Sequence, residues 1–133
     1  MIKWGLAVLL LGAFGATVFA GRGLLADSPT CQAAKDIAAT YNGRAPMPVD
    51  RVTTLLAIEV DCGAQIFTYR KQLTASPGAL PPGWQGRMQA QHNALHCNAQ
   101  GLASASGWTA RDVIATPDGA VFVTFQTTPA DCS

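Results

Sequence analysis

Charge is scarce in this sequence: Asp, Glu, Lys and Arg together make up 13% of its 133 residues. Lys and Arg total 9 and Asp and Glu 8; setting Lys3 aside leaves the rest of the chain balanced. A neutral chain without a basic cluster lacks the phosphate-neutralising footprint that nucleic-acid binding needs, and it is no polybasic membrane binder either. No C-x-x-C pair occurs, which excludes zinc ribbons, thioredoxin-like redox sites and C-x-x-C-H haem attachment. Glycine-rich phosphate loops, G-x-S-x-G elbows and H-E-x-x-H zinc helices are absent as well. Asp50, Glu59, Asp61, Asp112, Asp118 and Asp131 make no paired-carboxylate signature, and Asp61 and Asp118 fall in turn sequences where aspartate is expected structurally. His96-Cys97 is not a thiolate–base pair, because adjacent residues on a helix do not face each other.

What the chain does have begins at its N-terminus. After Met1-Ile2-Lys3, a run from Trp4 to Ala20 carries no charge, and Arg22 ends it. Val18-Phe19-Ala20 before Gly21 makes a small-residue cleavage site. Residues 1–26 therefore read as a signal peptide, or alternatively as an uncleaved membrane anchor at the short limit for spanning hydrocarbon. No cysteine follows in lipobox position, so lipid attachment is not expected. Residues 27–133 read as one exported domain, periplasmic or secreted, with membrane contact only through the N-terminal segment.

The four cysteines, Cys31, Cys62, Cys97 and Cys132, all follow the leader. An even number in an oxidising compartment reads as two disulfides that brace a small core.

Local signals set the elements. Ser28-Pro29 suits a helix start, as N-cap and first helical residue. Ala33, Ala34, Ile37, Ala38 and Tyr41 recur at helical spacing, and Asn42-Gly43 suggests a left-handed cap. Residues 51–60 alternate with Val52, Leu56, Ile58 and Val60 on one face; Asp61-Cys62-Gly63 turns the chain, and residues 65–73 return. Beyond a proline- and glycine-rich loop, Trp84, Met88, Leu95 and Leu102 suggest a second helix from Trp84 to about Asn98. Residues 108–116 and 120–128 flank Pro117-Asp118-Gly119, a specific turn signal. The expected fold is α+β: helix, hairpin, helix, hairpin, with an antiparallel sheet of about four strands and two helices on one face. In that plan Cys31 meets the Cys62 turn and Cys132 returns to Cys97. Cross-pairing, which would tie opposite ends together, stands second. Trp84 and Trp108 are the expected core anchors.

The segment Pro46-Met47-Pro48-Val49-Asp50 is followed by Thr53-Thr54-Leu55, a helix ending in Cys97, an Asp118-Gly119 hairpin and a closing Asp131-Cys132. Over residues 46–132 the chain resembles a class of small exported, disulfide-containing proteobacterial proteins. Members of that class carry an Arg and a glycine-rich step where this chain has Gly101-Leu102-Ala103-Ser104. The resemblance implies a Cys97–Cys132 pair and carries no catalytic residue across.

One constellation suggests chemistry. Met88, His92 and His96 recur every four residues on the second helix, and a thioether beside two imidazoles suits copper or zinc. In this reading Met88 sits at the core edge and His96 nearer solvent. Asp112 is odd: it shares a strand face with Trp108 and Ile114, so either that face is the solvent side or Arg111 or Arg70 pairs the carboxylate. The leading functional expectation is a non-enzymatic module without a cofactor that binds another envelope protein or assists envelope assembly; the alternative is a copper- or zinc-binding periplasmic protein.

Overall fold

The computed structural model describes residues 28–133. The signal-peptide or anchor segment, residues 1–26, lies outside them. Among the described residues no helix is long and apolar enough to cross a membrane.

Helix α1 runs Pro29–Asn42, with the Ser28 hydroxyl accepting the Cys31 N–H at 3.1 Å. Strand β1 is only Met47–Pro48, β2 is Thr53–Asp61 and β3 is Ile66–Leu73. Helix α2 is Trp84–His96, α3 is the short Leu102–Ser106, and β4, Thr109–Ala115, and β5, Val121–Thr127, complete the chain. The strands lie in sequence order in one five-stranded sheet.

The α+β class and the helix–hairpin–helix–hairpin order hold, with two additions. Met47–Pro48 contributes a fifth strand at the edge. The two hairpins meet through β3 and β4, which run parallel, Ile66 opposite Thr109 and Gln72 opposite Ala115. The connection through α2 and α3 returns the chain to the end of the sheet where β3 began, and adjacent pairing must then be parallel. The sheet is therefore mixed, not antiparallel throughout as expected, and α3 adds a short third helix to the two expected.

Both long helices lie on one face, α1 over β2 and α2 over β5. That face carries Leu55, Ile58, Phe67, Leu73, Ala110, Ile114 and Phe125, all buried. The expected phase of β2 shifts at a bulge between Leu55 and Ala57, so Leu55, Ile58 and Val60 point inward and Leu56 stands 40% exposed on the far face. Trp108 and Trp84 are buried anchors of two separate apolar clusters. One holds α1's Cys31, Ala34 and Ala38 with Phe67 and Trp108; the other holds Leu73, Trp84, Ile114 and Phe125.

Cys31–Cys62 and Cys97–Cys132 are bonded, with Cα separations of 5.6 and 5.2 Å. Both bridges sit at the same end of the sheet, where β2 and β5 finish and β3 and β4 start. What separates the two bridges is the width of the sheet, not its length. Asn42-Gly43 ends α1 without a left-handed residue: Gly43 has φ −68°. Asn42 works by its side chain instead, accepting the Ile58 N–H at 2.7 Å and donating to the Ile58 carbonyl at 3.0 Å. That amide caps β2 beyond the end of short β1.

Candidate functional site

Between the two apolar clusters, on the helix-covered face, runs a belt of polar side chains. Strand alternation places Tyr69 and Lys71 of β3 on the same face as Phe67 and Leu73. The parallel register sets Asp112 of β4 opposite Tyr69. Helix α2 lays His92 and His96 above them, 6% and 4% exposed, their ring centres 4.5 Å apart.

Lys71 Nζ donates to Asp112 Oδ2 at 2.6 Å. The other carboxylate oxygen, Oδ1, faces His92 Nε2 at 3.4 Å, and neither of these two buried atoms has another partner. The proton on the His92 ring can be placed by following the network outward. Gln89 Nε2 donates to the Gln126 backbone carbonyl at 3.3 Å, an obligatory acceptor, which orients that amide. Its nitrogen also donates to Asn93 Oδ1 at 2.9 Å, and the Thr127 hydroxyl donates to the same oxygen at 2.6 Å. With its only proton committed, Thr127 Oγ1 accepts from His92 Nδ1–H at 2.7 Å. Nε2 is thereby turned to the carboxylate.

The electrostatics follow from burial and this pairing. Burial opposes ionisation of Asp112, but the charge and hydrogen bond of Lys71 outweigh it and hold the carboxyl below its ordinary range. Burial, then the neighbouring His92, lowers His96 to about 4, with Asp112 opposing. Burial, then the Asp112 charge, pushes the Tyr69 hydroxyl up to about 12, so it stays protonated and able to donate.

The expected metal residues are thus partly brought together. His92 and His96 adjoin, but both are deeply buried, whereas the sequence reading put His96 nearer solvent; the α2 stripe Trp84–Met88–His92–His96 is the core-facing side of the helix. Met88 packs with Leu73, Trp84 and Phe125. Among the described residues no group of three His, Cys, Asp or Glu side chains is placed to hold a metal ion. Leu95, read with Trp84 and Met88 as one apolar side of the second helix, is 61% exposed. The face that Asp112 shares with Trp108 and Ile114 is the buried one, and its partner is Lys71; Arg70 pairs Glu59 at 2.7 Å and Arg111 donates to Gln126 on the open face. None of the four cysteines is free, so Cys97 offers no thiolate.

Above the belt lies a trough that the sequence reading missed. Three depressions meet at Tyr69. One, of about 180 Å³, is lined by Ala33, Ile37, Leu102 and Trp108; a second, of about 200 Å³, by Tyr41, Met47, Val49 and Lys71. The third, about 330 Å³, runs past Leu95, His96 and Gly101. Its rim is apolar and exposed: Ile37 48%, Tyr41 38%, Val49 46% and Leu95 61%. The cause lies in α1. Only Cys31, Ala34 and Ala38 of that helix are buried, at spacings of three and four, while Ala33, Ile37 and Tyr41 form a second apolar stripe turned toward the trough. The apolar arc of α1 is wider than the sheet requires, and that excess was the readable signal.

No family model matches the chain, and no curated protein matches its sequence. Solved structures share its fold. The pilotin of the Vibrio vulnificus type 2 secretion system, EpsS, superposes with a TM-score of 0.59 at 16% identity, covering 77% of this chain and 91% of that one. A Pseudomonas aeruginosa protein described as secreted gives a TM-score of 0.63 at 13% identity, covering 80% and 96%. At such identities the likeness is one of fold.

Proposed function

We propose that the chain is a non-enzymatic, extracytoplasmic module of envelope assembly that holds an apolar segment of an envelope partner in the trough between α1 and α2. The observation that carries this reading is the facing pair of exposed apolar walls, Ile37 and Tyr41 on α1 and Leu95 on α2, across the Tyr69 floor. Apolar surface rimmed by polar residues marks interaction sites. The two apolar hollows fall below the roughly 300–1,000 Å³ of small-molecule pockets, and they suit individual side chains of a docked polypeptide. Two disulfides fit an oxidising compartment, and the shared fold of a secretion-system pilotin and a secreted protein supports work in the envelope. The N-terminal run would supply export and, if retained, the tether.

Site-specific photo-crosslinking in intact cells tests the reading. A crosslinker at position 37 or 95 should capture one defined envelope protein that a crosslinker at Glu59, on the open face, does not. Introducing Ile37→Glu should abolish capture from position 95 while leaving the melting temperature nearly unchanged. Identical capture from positions 37, 95 and 59 would sink the assignment.

A further inference from the structure

The third depression of the trough differs from the two apolar hollows in what it presents. Leu95 and Leu102 give it apolar walls, and Tyr69, His96, Asn98 and Gln100 bring polar groups to it. Asn98 is engaged locally: its Nδ2 donates to the Leu95 carbonyl at 3.0 Å, and its Oδ1 accepts the Gln100 N–H at 2.8 Å. The His96 ring is not engaged. The backbone carbonyl of that residue accepts from Ser104 Oγ at 3.4 Å, but the imidazole makes no hydrogen bond among the described residues, although the residue is only 4% exposed. Within that set, the enclosed side-chain atoms without a partner are His92 Nε2 and Asp112 Oδ1. The His96 nitrogens are not sealed in that way, and His96 lines this depression and neither apolar hollow. The Tyr69 hydroxyl, which keeps its proton, likewise has no hydrogen-bond partner among the described residues.

These two groups are held in place before anything docks. A Cβ on Gly101 would lie 2.2 Å from the His96 carbonyl oxygen, so the turn after α2 rests directly on the last residue of the helix. The next residue, Cys97, is fastened to Cys132. In the free protein water can serve both groups. A segment that covers the depression removes that water and must supply hydrogen bonds in return, or leave two polar groups dehydrated and unpaired.

We propose that this end of the trough selects a carboxamide: an asparagine or glutamine side chain of the docked envelope segment, its carbonyl oxygen accepting from the Tyr69 hydroxyl and its NH₂ group donating to the His96 ring nitrogen that carries no proton. The inference rests on the trough reading above and names a residue that the docked segment must carry. Donor and acceptor chemistry decides the class. A carboxamide holds an acceptor and two donors on one planar group, and the two rings it would serve have centres 6.2 Å apart. An ammonium has no acceptor for the Tyr69 proton. A carboxylate would bring a second negative charge beside Asp112, whose charge already reaches both rings. Burial, which lowers His96 to about 4, opposes a charge of either sign there. A hydroxyl must meet both rings from a single atom.

The probe is a displayed library of random linear peptides, selected on the full chain, with the recovered peptides resynthesised and titrated by calorimetry. The expected result is a set of binders that Ile37→Glu abolishes and that share Asn or Gln at one fixed position among apolar residues. Replacing that residue by its near-isostere, Leu for Asn or Met for Gln, should weaken binding by about tenfold, as should Tyr69→Phe or His96→Phe in the protein. The losses should not add: against the amide-free peptide, Tyr69→Phe should change affinity by less than about threefold. The resonances of the His96 ring nitrogens should move on binding the amide peptide. Tyr69→Phe deletes one oxygen from a half-buried ring, so it keeps the test valid if His96→Phe fails to fold. Binders sensitive to Ile37→Glu that lack a shared amide, or whose losses add, would overturn the carboxamide site and leave the trough standing. Recovery of no binder sensitive to Ile37→Glu would overturn both.

Discussion

Replacing Asp112 by asparagine removes the only carboxylate in the polar belt and leaves the rest of the belt in place. The Lys71 ammonium then loses its counter-charge at 2.6 Å, and its side chain is only 20% exposed. A fully buried pair broken on one side costs roughly 3–5 kcal/mol and an exposed pair about 0–1. Lys71 lies between these limits, because its four-carbon stem can carry the charge outward through the trough, so about 2–3 kcal/mol is expected. For a domain of this size that lowers the melting temperature by roughly 10–20 °C. The cost is one of an orphaned cation, not of a lost attraction, and this can be distinguished. Lys71→Met combined with Asp112→Leu removes both charges and should recover most of the loss, with a coupling of at least about 1 kcal/mol in the double-mutant cycle. Thermal and urea unfolding at neutral pH of the wild type, both single variants and the double variant give the answer. Additive single losses, or a shift of only a degree or two in Asp112→Asn, would refute the belt as an electrostatic unit.

Acidification should destabilise the fold through His96. Its folded value of about 4 lies below the ordinary 6.5, so the unfolded chain binds a proton that the folded chain refuses. Stability is therefore lost as pH falls from about 6.5 towards 4, by roughly 2 kcal/mol once solvent at the ring edge is allowed for, and His96→Gln should flatten the slope in pH-dependent urea unfolding. Asp112, held below its ordinary range, adds a further loss at still lower pH. Long-range proton–nitrogen correlation spectra should place the His92 proton on Nδ1; a bare Nδ1 would contradict the Gln89–Asn93–Thr127 chain. Gly101→Ala should cost roughly 3 kcal/mol, because the new methyl would lie 2.2 Å from the His96 carbonyl oxygen, whereas Gly86→Ala should be neutral or stabilise slightly. Replacing either cysteine pair by serine should cost roughly 3–4 kcal/mol by denaturant unfolding, given sequence separations of 31 and 35 residues.

Where local chemistry decides, the sequence was legible. Ser28-Pro29 opens α1, and Pro117-Asp118-Gly119 turns β4 into β5, with Gly119 at φ 95°. Trp84 and Trp108 anchor the core, each buried in its own apolar cluster. Phase was harder to read. One extra residue in β2 moved Leu56 to the open face, and a bulge has no signature in an apolar run. On α1, five apolar positions recur at helical spacing, yet only Ala34 and Ala38 of them are buried and Ile37 and Tyr41 stand exposed. The belt could have been found. Alternation through Phe67, Tyr69, Lys71 and Leu73 places a lysine among inward residues, as alternation through Trp108, Asp112 and Ile114 places an aspartate. Two inward charges of opposite sign on adjacent strands answer each other, but that adjacency depends on the parallel β3–β4 register, a crossover property that no single strand pattern encodes.

The trough is preformed for a reason that links these features. Helix α1 is held to β2 and β3 through small residues and the Cys31–Cys62 bridge, and α2 is held to β5 and the chain end through its own cluster and Cys97–Cys132. The helices lie on one face but are carried by strands toward opposite edges of the sheet, not by packing on one another. Strand spacing, about 4.8 Å per strand, therefore sets the distance between the walls. A segment docked as proposed would meet walls already fixed by two covalent bridges at one end of the sheet, with the entropy of ordering them met during folding. The polar belt keeps the floor from collapsing: a charged pair under Tyr69 cannot be covered by closing α1 onto α2 without dehydrating Lys71, which the open trough leaves partly in water.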